Sequence, residues 1–255
     1  MTHTASTLPA GAAAAMPSRR VKDAPTRAAH WWIAGSFLVA YITGDSESWR
    51  LWHVIAGYSM LLALGFRILW GLAGPKSVGL SIWGRRLGAS LRWLREQFSA
   101  RGLQGWTTQP GAQLRQAMTQ GISLSIVVLI AALPWIGLSG YITYQELTGE
   151  WMGELHELLG NLALFAVVLH LGVLLVASLQ RSQNLAHPMI GGRQSGAGPD
   201  LVPHNRAWLA LLFSAAMVAF AGWYWQDARS TLGNEGATPA TLQAGALHDD
   251  GDRDD

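Results

Sequence analysis

The sequence predicts an all-α membrane protein, and two observations lead to that class. Half of the 255 residues are apolar and only 13% are charged, whereas a soluble domain of this size carries about 25% charged residues. Five segments are also apolar over roughly the 20 residues that a spanning helix needs, although the first is short. The predicted spans are residues 28–43, 50–72, 118–141, 154–178 and 206–225.

Positive charge is distributed unevenly between the two sides of these spans. Four Lys or Arg residues precede the first span, seven lie between the second and third, and three lie between the fourth and fifth, against three on the opposite side. The positive-inside rule therefore predicts a cytoplasmic N-terminus in a bacterial inner-membrane protein. With five spans, the C-terminus is expected in the periplasm.

The segments outside the spans have compositions of their own. Residues 1–26 form a polar, Ala-rich lead and residues 227–255 an acidic tail, and both are expected to be disordered. Residues 196–226 are expected to be a linker and the fifth span. Within the cytoplasmic loop 76–116, residues 82–98 place leucines on one helical stripe with arginines around it. This pattern predicts an amphipathic helix on the membrane surface, with a partner-binding helix as the alternative.

Four of the eight histidines lie inside predicted spans: His30, His53, His156 and His170. An ionisable side chain is costly inside a bilayer, so each is a candidate functional residue. For any single histidine, the alternative is an interhelical hydrogen bond or a satisfied place in the core.

The topology sorts these four histidines into two pairs. His156 and His170 are 14 residues apart on one span, which places them about 21 Å apart and within roughly 40° of the same helix face. Because successive spans run in opposite directions, His53 and His156 lie near the outer surface, and His30 and His170 lie near the inner surface. We therefore predict the pairs His53–His156 and His30–His170.

Two facing imidazoles suit a six-coordinate haem iron that has no open site and transfers electrons. Zinc or copper would require a third or fourth ligand at each level. The chain has no cysteine, which excludes covalently attached haem, iron–sulfur clusters and disulfides. The sequence therefore predicts two b haems, with the four histidines as axial ligands.

Three further residues fit this hypothesis. Gly57 and Gly160 each follow a histidine by four residues, which would leave room for the porphyrin, although a glycine can also serve helix packing. Arg67 follows His53 by 14 residues and is expected at the inner level, where it could bind a haem propionate. The alternative is that Arg67 extends to the cytoplasmic interface.

The sequence also resembles a known family over about residues 25–195. The segment Arg27-Ala28-Ala29-His30-Trp31-Trp32 is similar to the opening of the bacterial cytochrome b561 and nickel–iron hydrogenase b-type cytochrome family. Trp52-His53 followed by Gly57 and Arg67, His156-Glu157 through Gly160-Asn161 to His170, and Asn184 to Arg193 are similar to later parts of it. One departure is that only Gln109-Pro110-Gly111 remains of a Gly-His-Asn-Pro-x-Gly loop found in many relatives.

The resemblance implies a four-helix di-haem domain over residues 27–195, which exchanges electrons with a quinone or an external redox partner. The first candidate function is therefore electron transfer between the quinone pool and a periplasmic protein such as a c-type cytochrome. The alternatives are the membrane cytochrome subunit of a hydrogenase-like complex, a superoxide or quinone oxidoreductase, and a transporter with proton-relay histidines. We expect contact with membrane lipid and no nucleic-acid partner.

Overall fold

The computed structural model of the chain describes residues 17–75 and 79–235, and helices account for most of them. A short 3-10 helix, Glu47–Trp49, and two short strands accompany the α-helices. The strands are β1 (Ser18–Arg20) and β2 (Arg193–Ser195). The α-helices are α1 (Ala24–Thr43), α2 (Arg50–Ala73), α3 (Leu80–Gln97), α4 (Ala100–Thr108), α5 (Pro110–Tyr144), α6 (Trp151–Arg181), α7 (His187–Gly191) and α8 (Ala207–Glu235).

Each of the five predicted spans is helical. Among the residues that the structure describes, four elements are long and apolar enough to cross a membrane: Glu47–Ala73, Pro110–Tyr144, Trp151–Arg181 and Ala207–Thr231. The helix α1 contains the first predicted span but is not one of these four, since Arg27 and His30 make it less apolar. The chain is thus a multi-pass, helical membrane protein.

The long helices form two hairpins with α8 beside one of them. Within each hairpin, α1 packs closely against α2 and α5 against α6, whereas α2 and α5 contact each other much less. The helix α8 lies against α1 and α2, where Trp32 Nε1 donates to Ser214 Oγ at 3.1 Å and the rings of Phe66 and Phe213 stack 4.0 Å apart. The hairpins therefore leave space between them.

An apolar layer joins the two hairpins in the middle of the bundle. Met60 and Leu64 of α2 pack there with Leu133 and Ile136 of α5 and Ala163 of α6, and all five are buried. Close packing of this kind, rather than exclusion of water, holds helices together in lipid. The layer lies between the levels of His53 and Arg67 on α2, so it separates the two ends of the bundle.

Two predicted boundaries change. The lead was expected to be disordered to residue 26, but β1 pairs antiparallel with β2, with Arg19 opposite Gln194, and α1 begins at Ala24. The prediction missed this strand because its partner is distant in sequence. The tail was expected to be disordered from residue 227, but α8 continues to Glu235. Residues 1–16 and 236–255 lie outside the described residues.

The loop between α2 and α5 is more helical than the sequence indicated. The amphipathic segment predicted at 82–98 is confirmed as α3, and its apolar Leu91, Leu94 and Phe98 are exposed. The helix α4 follows it, and α5 begins well before the predicted third span, with Pro110 in its first turn. Proline suits that position because it has a helical φ and no N–H to satisfy.

Asp23 connects α1, α2 and the strand region at one end of the bundle. Its side chain is fully buried, accepts the backbone N–H of Thr26 at 3.2 Å as the cap of α1, and accepts the indole N–H of Trp70 at 2.9 Å. Arg206 lies over the Trp70 ring at 5.6 Å. One carboxylate therefore fixes the start of α1 against the end of α2.

This arrangement predicts a large stability effect at Asp23. We expect Asp23→Ala to destabilise the protein by about 2 kcal/mol or more, because a helix cap contributes about 1 kcal/mol and a buried donor left unbonded costs about 1–3 kcal/mol. Thermal unfolding in detergent measures the change. The matched control is Asp200→Ala, because Asp200 is partly exposed and makes ion pairs of 3.9 Å with Arg20 and Arg193. Equal losses in both variants would contradict the role given to Asp23.

Lys22, next to Asp23, gives a pH-dependent prediction. Burial and the nearby charges of Arg86 and Arg67 lower the pKa of Lys22 from 10.5 to about 8. Between these values the unfolded chain binds more protons, so the stability linked to Lys22 rises with pH and is lost as the pH falls through about 8. Unfolding measured at about pH 7 and about pH 9.5 should show this rise, and Lys22→Met should remove it. The same pH dependence in Lys22→Met would assign the rise to other groups.

Candidate functional site

The structure brings His53 and His156 together between the two hairpins. Their rings have centroids 5.9 Å apart and planes at 85°. A metal binds an imidazole nitrogen at about 2 Å, so two imidazoles on opposite sides of one ion have centroids roughly 6 Å apart. The observed separation fits two axial ligands of a single iron.

A cavity of about 350 Å³ adjoins the two rings. Its walls include six glycines: Gly44, Gly57, Gly137, Gly140, Gly153 and Gly160. A Cβ added at Gly57 or Gly160 would meet no atom within 4 Å. These two glycines follow the histidines by one helical turn, so the space that the sequence predicted is open beside each histidine.

The Nδ1 atoms of three of the histidines are engaged by oxygen atoms of neighbouring helices. His53 Nδ1 lies 2.8 Å from the carbonyl oxygen of Ala40 on α1, and His156 Nδ1 lies 3.1 Å from that of Ile136 on α5. His170 Nδ1 lies 2.9 Å from Ser125 Oγ, also on α5. When Nδ1–H donates to oxygen, Nε2 is the nitrogen that coordinates iron, and ligand histidines commonly show this arrangement.

The second predicted pair, His30 and His170, lies towards the opposite end of the bundle. The two side chains are partly buried. The His30 ring also contacts Trp31 edge-on, with centroids 5.4 Å apart. Each of the two levels therefore offers two imidazole side chains, one from each hairpin.

Arg67 is buried, with 6% of its surface exposed, and interacts electrostatically with Asp23 and Lys22. It therefore lies inside the chain at the level that the sequence predicted. Sequence reasoning missed Asp23 as its anionic neighbour, because Asp23 precedes the predicted span. The signal was present: an aspartate directly before Ala24-Pro25 is typical of a helix cap followed by a first-turn proline.

Two further contributions to the His53–His156 site were also missed. A Cβ at Gly140 would lie 2.8 Å from the His156 ring, so only glycine allows α5 this close to the ligand. Tyr41 of α1 donates a hydrogen bond of 3.1 Å to Asn161 Oδ1 of α6 across the cavity edge. The sequence gives little indication of these roles, because small and aromatic residues are common in membrane helices for packing alone.

Comparison with known proteins gives a match that covers every residue of this candidate site. The sequence profile of the prokaryotic cytochrome b561 family matches residues 21–192, more than half of the chain, and the four candidate ligands and Arg67 fall within the match. A comparison with curated proteins and one with solved structures gave no significant match. The family resemblance predicted from the sequence is confirmed: this chain belongs to the prokaryotic cytochrome b561 family, the b-type membrane cytochromes of electron transfer.

Proposed function

We propose that this protein holds two b haems and transfers electrons across the cytoplasmic membrane, between the quinone pool and a periplasmic redox partner such as a c-type cytochrome. The main support is the facing pair of His53 and His156 at 5.9 Å beside an open cavity. A haem bound between two imidazoles supplies one-electron chemistry without a site for oxygen. The chain supplies the ligands, their orientation and the surrounding charge.

The vertical spacing of the ligands suits transfer between the two membrane surfaces. His156 and His170 are about 21 Å apart along α6, which is most of a hydrocarbon core of about 30 Å. The first pair takes its ligands from α2 and α6, and the second from α1 and α6. This arrangement requires α1 to cross the membrane as a fifth span. Its 20 residues are about 30 Å long.

The two ends of the bundle differ in charge, and we propose that they face different compartments. The basic end, where α1 begins, carries Lys22, Arg67 and the arginines of α3 and the β1–β2 region, and the positive-inside rule places it in the cytoplasm. Lys22 and Arg67 both interact electrostatically with the carboxylate of Asp23. This excess of positive charge supports the assignment of Arg67 to a propionate of the inner haem.

The acidic end is proposed as the periplasmic docking surface. Six of its carboxylates are exposed: Asp45, Glu47, Glu146, Glu150, Glu154 and Glu157. Asp45 and Glu157 also line the cavity beside His53 and His156. A negative surface around a redox site attracts a basic partner and orients it, which favours a periplasmic protein with a basic face.

The central test is the haem content of single-histidine variants. The purified native protein should contain two b haems per chain, measured by a pyridine haemochrome assay and reduced-minus-oxidised spectra. His53→Ala and His156→Ala should each lose one haem, the same one, because each removes an axial ligand of the same iron. His187→Ala is the matched control, since its Nδ1 lies 2.9 Å from the Arg193 carbonyl oxygen in the basic-end loop.

Two results would reject the proposal. A colourless native protein would favour proton relay by the histidines and remove the electron-transfer mechanism. If His53→Ala and His156→Ala removed different haems, as distinguished by their redox titrations, the proposed pairing would be wrong even though haem binds.

The docking surface has a separate test that uses a basic mitochondrial cytochrome c as the partner. Neutralising Glu47, Glu150 and Glu154 to Gln together should slow the bimolecular electron transfer by about 10-fold at low salt, because electrostatic steering raises association rates by 10-fold or more. Stopped-flow absorbance measures the rate. Glu96→Gln, on α3 at the basic end, should leave it unchanged. A rate that is independent of ionic strength in the native protein would exclude this surface.

A further inference from the structure

The helix α5 supplies no histidine, yet it carries two buried serines that contact both histidines of α6. Ser125 Oγ lies 2.9 Å from His170 Nδ1, and Ser139 Oγ lies 3.1 Å from His156 Nδ1. Ser125 is 5% exposed and Ser139 is 4% exposed. Like the histidines, the serines are 14 residues apart, so the antiparallel helices meet in register at two levels.

The direction of both hydrogen bonds follows from the serines' own contacts. Ser125 Oγ donates to the carbonyl oxygen of Ile122 at 3.0 Å, and Ser139 Oγ donates to that of Ile136 at 3.0 Å. A hydroxyl has a single proton. When each serine gives its proton to that carbonyl oxygen, its oxygen accepts from the imidazole, and Nδ1 carries the hydrogen.

This direction fixes the chemical state of the two ligands. With hydrogen on Nδ1, the lone pair of the neutral ring is on Nε2, which is the nitrogen that can bind iron. A hydroxyl that is itself donating is also a stronger acceptor. Hydrogen bonding at Nδ1 makes the coordinating nitrogen a better electron donor, which favours ferric iron.

We propose that Ser125 and Ser139 are positioning residues, each of which fixes the tautomer of one α6 ligand and lowers the reduction potential of the haem at that level. This inference rests on the proposed function, because it requires haem at both levels. It assigns a role to α5 beyond packing: one helix without ligands adjusts the two haems independently, through hydroxyls about 21 Å apart.

Replacing the two serines should not affect their haems equally. His156 Nδ1 has a second acceptor, the Ile136 carbonyl oxygen at 3.1 Å, which remains when Ser139 is replaced. Within the described residues, His170 Nδ1 has one hydrogen-bond acceptor, Ser125 Oγ. Replacing Ser125 should therefore have the larger effect.

The experiment compares Ser125→Ala, Ser139→Ala and Ser123→Ala in the purified full-length protein. Ser123 is the matched control on the same helix, since its hydroxyl donates to the Thr119 carbonyl oxygen at 3.1 Å. Redox titration gives the midpoint potential of each haem, ferric EPR gives the ligand-field signature, and transfer to apomyoglobin gives the rate of haem loss. Ser125→Thr restores the hydroxyl and tests for rescue.

We expect Ser125→Ala to raise the potential of the His30–His170 haem alone and to accelerate its loss by roughly 10-fold, as replacement of such hydrogen-bonding partners commonly does. Ser139→Ala should shift only the other haem, and by less. Ser123→Ala should match the native protein, and Ser125→Thr should return towards it.

Two outcomes would overturn the inference while leaving the proposed function intact. In the first, both alanine variants hold two haems with native potentials, EPR signals and rates of loss. In the second, Ser125→Ala and Ser123→Ala shift the potentials equally, which would indicate a general effect on α5. A native protein with fewer than two haems would instead reject the proposed function, and this inference with it.

Discussion

The gap between the two helical hairpins is the constraint on which the rest of the structure depends. Two imidazoles face each other across it at 5.9 Å, so the hairpins cannot close to ordinary helix contact at that level. Glycines line the gap, and at Gly57 and Gly160 open space replaces a side chain. The apolar layer around Met60 and Leu133 holds the hairpins together where they do meet. Packing is thus concentrated beside the level of His53 and His156, and that level itself remains open.

The meeting of His53 with His156 could be predicted from the sequence because it depends only on helix period and direction. A separation of 14 residues keeps His156 and His170 near one face, and alternating spans decide which partner each one meets. The partners of the Nδ1 atoms could not be predicted. Backbone oxygens such as that of Ala40 have no sequence signature, and a serine in an apolar span, such as Ser125, most often bonds only to its own helix.

The ends of the bundle show a second limit of sequence reasoning. Hydropathy predicted the first span from residue 28, whereas α1 begins at Ala24. The first turn was missed because it belongs to a polar network and does not contact lipid. Asp23 caps that turn and accepts a hydrogen bond from Trp70, while β1 pairs with a strand that is distant in sequence, with Ser18 opposite Ser195. Composition alone predicts disorder for such a lead. Only the tertiary partners, β2 and the end of α2, give residues 18–23 a fixed structure.

The contacts of the candidate ligands also show what α5 contributes, although it carries no histidine. The helices α1, α2 and α6 carry the four candidate ligands, and the Nδ1 acceptors come from Ala40 on α1 and from Ser125, Ser139 and Ile136 on α5. Removal of α5 would remove these acceptors from both histidines of α6. By contrast, α8 contacts mainly the outer faces of α1 and α2. It therefore supports one hairpin without holding any ligand, which is consistent with its place outside the matched residues 21–192.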